Sequence, residues 1–234
     1  MRGLLACASL AAATIAHADI AGTRPAYTRH VLSQPPNAGA IRARRWAPEI
    51  DLGYAPQGVT VAGESVLLSA YNGAGGAVVR SLSLRFPLRA SFITWHGRSL
   101  WIGEYAKPER GRILRFALAR MDAAPPGAEP REEQAYARLA IATRSQGASF
   151  DKDGYLWLSQ SSSQFGTLQK VDPASGKVLA SYPMVAGIED LGFDADGMLW
   201  AVSEAGSKRW RNWPTFYPIL FSIDVRSLSS STAP

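Results

Sequence analysis

The chain has 234 residues, one cysteine, 47% hydrophobic residues and a formal charge of +6. With Cys7 the only thiol, no intramolecular disulfide and no thiolate metal cluster can form, so burial of apolar surface must hold the fold together. The basic residues are scattered rather than massed along one segment, which argues against a nucleic-acid partner.

In chain order, the first element is a leader. Arg2 is basic, the segment from Leu4 to Ile15 is apolar but too short to span a bilayer, and Ala16-His17-Ala18 is a small-x-small cleavage site. The expectation is a signal peptide over 1–18, cleaved after Ala18, and a periplasmic or secreted protein over 19–234. A lipoprotein reading of Leu4-Leu5-Ala6-Cys7 would leave the leader almost no apolar core. Without the leader the chain carries 24 Lys and Arg against 19 Asp and Glu, a charge of +5. No other segment is long and apolar enough to cross a membrane.

Residues 26–52 are irregular and read either as a degenerate repeat or as a strand that pairs with the end of the chain. Four segments then align: Pro56 to Ser69, Ala90 to Gly103, Gln146 to Ser159 and Glu189 to Ser203. Each is a short apolar strand, a polar turn containing Gly and a second apolar strand. Leu67, Leu100, Leu156 and Leu199 hold one place in the unit, and Trp101, Trp157 and Trp200 follow three of them. Third strands are expected at Val78 to Leu84, Ile113 to Leu118, Thr167 to Asp172 and Ile219 to Val225, with a fourth at Lys177 to Tyr182. The insertion from Asp122 to Glu133 is rich in Pro, Gly and charge and reads as a surface loop. Short antiparallel strands repeating at about 40 residues suggest an all-β, single-domain β-propeller of about five blades, with four or six open.

The turns Asp151-Lys152-Asp153-Gly154 and Asp194-Ala195-Asp196-Gly197 lack the EF-hand spacing, because Gly stands fourth and position twelve is Ser162 or Ala205. They read as hairpin turns. The repeated Asp-x-Asp-Gly-x-Leu-Trp hairpins, over residues 56–225, resemble secreted bacterial propellers of the broad gluconolactonase-like, NHL-repeat and streptogramin-lyase-like group. The resemblance implies a propeller fold. The gluconolactonase-like members hold a divalent cation with Glu, Asn and Asp, and the lyase-like members add a catalytic His. No residues of this chain match those sets.

Elimination narrows the chemistry. Outside the leader the histidines are His30 and His96 alone, and there is no nucleophile elbow, phosphate loop or dinucleotide fingerprint. Topology suggests one rim instead. First strands begin at Gln57, Ser91, Gln146, Glu189 and Asp190, and second strands end at Tyr71, Glu104, Gln160 and Glu204; seven of these nine are Gln, Glu or Asp. Antiparallel pairing brings the two sets to one face. The expected ligand set is Glu189, Glu104, Glu204 and Asp190, with the amides Gln57 and Gln146 orienting a ligand and Arg209 and Trp210 on the rim. Glu189, Glu104 and Glu204 would be the metal ligands if Ca²⁺ or Mg²⁺ binds there, oxygen being the donor those ions prefer. No other cofactor is expected.

The residues leave two functions open. One is a monomeric exported module that binds a small molecule, carbohydrate, cation or protein at a carboxylate-rich rim. The alternative is a divalent-metal-dependent hydrolase, lactonase or lyase at the same face.

Overall fold

The structure, a computed structural model, describes residues 37–45, 55–62, 65–71, 86–107, 109–125, 128, 130–162, 165–206 and 220–229. The leader, His30, the strand expected at 78–84, Arg209 and Trp210 lie outside the described residues.

The architecture is all-β. Strands β1 (Ile41–Arg45), β2 (Ala55–Ala62), β3 (Ser65–Tyr71), β4 (Ala90–His96), β5 (Ser99–Glu104), β6 (Gly111–Ala117), β7 (Ala137–Ile141), β8 (Ser145–Phe150), β9 (Leu156–Ser162), β10 (Phe165–Val171), β11 (Val178–Met184), β12 (Ile188–Phe193), β13 (Leu199–Ser203) and β14 (Leu220–Ile223) build four antiparallel sheets among the described residues. The first is the hairpin β2-β3. The second is β4-β5-β6-β7, the third β8-β9-β10-β11, and the fourth β12-β13-β14-β1. The last sheet thus takes its outer strand from the other end of the chain, with Ile41 opposite Ile223 and Arg45 opposite Leu220. Of the two readings of residues 26–52, pairing with the end of the chain is the one that describes β1.

The Asp-x-Asp-Gly-x-Leu-Trp signature is a hairpin lock. Asp151 Oδ1 accepts from the backbone N–H groups of Asp153 (3.0 Å) and Tyr155 (2.9 Å), and its Oδ2 accepts from the indole of Trp157 (2.9 Å). Asp194 repeats this with Asp196 (3.0 Å), Met198 (2.9 Å) and the indole of Trp200 (2.7 Å). One carboxylate therefore closes the turn and satisfies the indole donor of the next strand. Gly154 (φ 82°) and Gly197 (φ 78°) supply the left-handed residue that this turn needs. In the second sheet the turn is one residue shorter. His96 pairs with Ser99, and among the described residues the buried Trp101 indole N–H meets no acceptor. A cation covers that ring instead: Arg115, its cross-strand neighbour on β6, lies 4.0 Å from the ring centroid.

The tryptophans also join the sheets. Trp101 meets Phe150 of β8 edge-on at 5.0 Å, and Trp157 meets Phe193 of β12 at 6.1 Å. In both cases a second-strand indole packs on the first strand of the next unit. Trp101, Phe92 and Ile113 form one core with Leu156, Leu158 and Val171. Trp157, Leu168 and Met184 form another with Ile188, Leu199 and Phe221. Trp200 packs against Val59, Val202 and Leu220, which joins the fourth sheet to the first. The first strands accordingly run side by side, β4 against β8, β8 against β12 and β12 against β2.

The described residues of the insertion are irregular, as a surface loop should be, and the segments on either side of it are ordered. β6 ends at Ala117, and Leu118–Asp122 forms one short helix, α1, with Met121 buried. Met121 and Ala135 cover Ile102, Leu114 and Phe116 on the face of the second sheet that does not meet the third. Five residues of helix are too short to leave a periodic trace.

Candidate functional site

All four first strands carry a register shift at the same point. Between Pro56 and Gly58, Ala90 and Phe92, Ser145 and Gly147, and Ile188 and Leu191, the first strand holds one residue more than its partner. The residues in these bulges are Gln57, Ser91, Gln146 and the pair Glu189-Asp190, which are the polar strand starts of the repeat. A bulged residue drops out of the ladder, so its side chain can be aimed away from the sheet.

Three of them meet across three sheets. Ser91 Oγ donates to Gln146 Oε1 at 3.1 Å, and Gln146 Nε2 donates to Glu189 Oε1 at 3.3 Å. The backbone holds this row tightly. The Glu189 carbonyl, freed by its bulge, accepts from the Ser159 hydroxyl of β9. Gly147 lies so close to β12 that a Cβ there would stand 2.6 Å from the Glu189 carbonyl oxygen. Only glycine lets β8 and β12 approach at this point. Glu189 itself is 5% exposed.

Asp190 points elsewhere. Its carboxyl accepts from the backbone N–H of Val59 on β2 (3.3 Å) and from those of Leu191 and Ala148, so it ties together the first strands of three sheets. Burial pushes it up to about 7 against the pull of those three donors. Adjacent side chains of a strand point to opposite sides, and Asp190 accordingly reaches the neighbouring first strand while Glu189 joins the row.

The second-strand ends divide. Glu104 lies opposite Arg112 and is held by its guanidinium at 3.3 Å. Arg112 also bonds Glu132 at 2.6 Å, beside the insertion. Alternation along β5 explains this, because Leu100, Ile102 and Glu104 share one face, the face of Leu114. Glu204 is buried in the turn after β13, and its N–H donates to the Gly187 carbonyl at 2.9 Å, next to the start of β12. Gln160 donates to the Thr143 carbonyl at 2.8 Å. The side chains of Gln57 and Tyr71, like Arg209 and Trp210, lie outside the described residues. Among the described residues no group of three or more His, Cys, Asp or Glu gathers as a metal site would need.

Sequence reasoning missed the groups beside Glu189. Tyr105, one residue past Glu104, hydrogen-bonds the Arg144 side chain and feels the charges of Glu189 and Arg89. Burial pushes its phenol up, and the Glu189 carboxylate adds to that while Arg144 and Arg89 oppose it. Arg144 has φ 58°, a left-handed conformation that costs a non-glycine residue roughly 1 kcal/mol. Two backbone bonds hold it there: Arg144 N–H donates to Ala106 O (2.9 Å), and Ser161 N–H donates to Arg144 O (3.1 Å). The Lys107 ammonium is held below its ordinary value by burial and by the Arg144 charge. The rim is therefore mixed in charge. Glu189 stands in a row of neutral polar groups and acts on Tyr105, which is also beside Arg144 and Arg89.

No protein-family model matches this sequence, and no curated protein does. Among solved structures, a protein of unknown function from Bacteroides caccae is similar over 64% of this chain and 54% of its own, at 10% identity and a TM-score of 0.37. A luciferin-regenerating enzyme is similar over 70% of this chain and 50% of its own, at 10% identity and a TM-score of 0.41. The chain thus spans about half the length of each of the solved structures to which it is similar.

Proposed function

We propose that the four sheets are blades of a small β-propeller, that the protein is exported after cleavage behind Ala18, and that it binds a small polar ligand at the rim where the first strands begin. One observation carries the reading: Ser91, Gln146 and Glu189, bulged residues of three different sheets, form one hydrogen-bonded row. A residue needed only to pair strands would sit in the ladder. These three sit outside it, at repeat-equivalent places, where they offer a hydroxyl, an amide and a carboxylate from rigid strands. Such a set matches the alternating donors and acceptors of a sugar or another hydroxylated molecule. The grouping of the carboxylates favours this ligand over a cation, because Glu104 is engaged by Arg112 and Asp190 by backbone donors.

The test is calorimetry with a panel of neutral monosaccharides and disaccharides, with Ca²⁺ and Mg²⁺ as separate arms. At least one sugar should bind, and Glu189→Gln should weaken it by ten-fold or more with the melting temperature little changed. Binding of Ca²⁺ with no sugar response, or sugar binding indifferent to Glu189→Gln, would overturn the reading. Mass spectrometry of protein recovered from the producing cell should find Asp19 as the first residue.

A further inference from the structure

The second and third sheets repeat one arrangement of side chains. Across the third sheet, Ser149, Trp157, Lys170 and Ala180 stand in one row; across the second, Thr94, Trp101, Arg115 and Ala137 do. A cation therefore adjoins an indole in both, and a tyrosine caps each cation. Lys170 Nζ lies 4.0 Å from the Tyr155 ring centroid, and the Arg115 guanidinium carbon lies 5.0 Å from that of Tyr136. In the third sheet a carboxylate joins the two: Asp151 Oδ2 accepts from the Trp157 indole at 2.9 Å and pairs with Lys170 at 3.7 Å. In the second sheet His96 holds the register place of Asp151. It follows the Trp95–Leu100 pair as Asp151 follows the Phe150–Leu156 pair. Its ring is stacked on Phe150, 4.4 Å between centroids. Among the described residues, the buried Trp101 Nε1 and the buried Arg115 Nε meet no hydrogen-bond partner. Two buried donors at repeat-equivalent places, one of them cationic, call for an acceptor.

We propose that Trp101 and Arg115 form a binding site for a small carboxylate anion, acetate or formate in size, which plays from outside the part that Asp151 plays in the third sheet. The indole N–H donates to one carboxylate oxygen, and the guanidinium supplies the charge and further donors. Trp101 is buried, so only a small anion fits beside it, while Tyr136, 54% exposed, brings the cation end of the site to the surface. The site lies at the turn end of β4 and β5, whereas Ser91 stands at the start of β4. It is therefore separate from the row of Ser91, Gln146 and Glu189, and its test is independent of that row.

Sodium acetate and sodium formate are titrated into the ¹⁵N-labelled protein, with sodium chloride holding the ionic strength constant. The indole resonance of Trp101 is assigned and checked by its loss in Trp101→Phe. With at least one of the two anions it should move downfield and saturate. The indoles of Trp157 and Trp200, already bonded to Asp151 and Asp194, should stay still. Arg115→Gln should weaken the response by roughly ten-fold or more, since it removes the charge. Arg115→Lys, which reproduces Lys170, should hold it within about three-fold. The site is refuted if neither anion moves the Trp101 indole beyond chloride, or if Arg115→Gln responds as the parent does. Should Arg115→Gln fail to fold, the contrast among the three indoles of the parent decides.

Discussion

Asp151→Asn tests the hairpin lock directly. The aspartate Oδ1 serves two backbone N–H groups, and Oδ2 serves the Trp157 indole at 2.9 Å. Asparagine can keep one role only. With its oxygen on the backbone donors, its NH₂ faces the indole N–H, donor against donor; flipped, it faces two backbone donors instead. Trp157 is 2% exposed, so water cannot relieve the conflict. A buried donor left without its acceptor costs roughly 1–3 kcal/mol. The ion pair from Lys170 to Asp151 at 3.7 Å adds well under about 1 kcal/mol, because both groups are partly solvated. The expected loss is about 2 kcal/mol, a fall of about 4–8 °C in Tm for a chain of this size. Urea unfolding followed by far-UV circular dichroism measures it. The decisive comparison is a double-mutant cycle with Trp157→Phe, which removes the indole donor. In that background Asp151→Asn should cost less than about 1 kcal/mol, leaving a coupling of at least about 1 kcal/mol. A cost below about 0.5 kcal/mol in the parent, or an equal cost in both backgrounds, would show that the indole bond does not hold the hairpin.

Two further outcomes follow from the first strands. Burial raises Asp190 to about 7 in the folded chain against about 3.8 when exposed. The folded state therefore holds this proton more tightly, so the contribution to stability is complete below about pH 4, declines as pH rises and is lost above about pH 7. Across that range the effect is at most about 4 kcal/mol. Asp190→Asn should flatten the stability profile between pH 4 and 7, and parallel parent and variant profiles would contradict the assignment. At Gly147, alanine would drive its Cβ into the β12 backbone. Gly147→Ala should destabilise the fold by about 1–3 kcal/mol or more and break the Gln146–Glu189 bond, whereas Gly39→Ala, with open space around it, should be close to neutral in the same melts.

The repeat was readable because its chemistry is local. In Asp-x-Asp-Gly-x-Leu-Trp one side chain closes its own turn and bonds an indole six residues on, so a single segment carries the whole instruction. Polar residues at apolar strand starts likewise marked Gln57, Ser91, Gln146 and Glu189, and these became the bulges. What escaped depends on geometry that a pattern does not encode. Alternation along β5 puts Glu104 on the face of Ile102, where Arg112 meets it, while Tyr105, just past the strand, came to Arg144 and Glu189. Arg144 was invisible because nothing in its sequence marks a left-handed arginine; its backbone partners lie in the loop after β5 and in β9. Met121 escaped because a single helical turn leaves no period to detect.

The pairing of β1 with β14 has a consequence for how the molecule is made. Residues 41 and 223 are partners although almost the whole folded chain separates them. During synthesis, the strand that emerges early has no edge to join until β14 has left the ribosome. Until then Phe221 and Ile223, which complete the core of the fourth sheet, are missing too. The three sheets made from consecutive strands can form as hairpins grow, but the last step must close a loop of nearly the full chain length, the slowest kind of contact to make. An edge left waiting that long can pair with another copy. Folding yield should accordingly be set by β14 far more than its small share of the buried surface suggests.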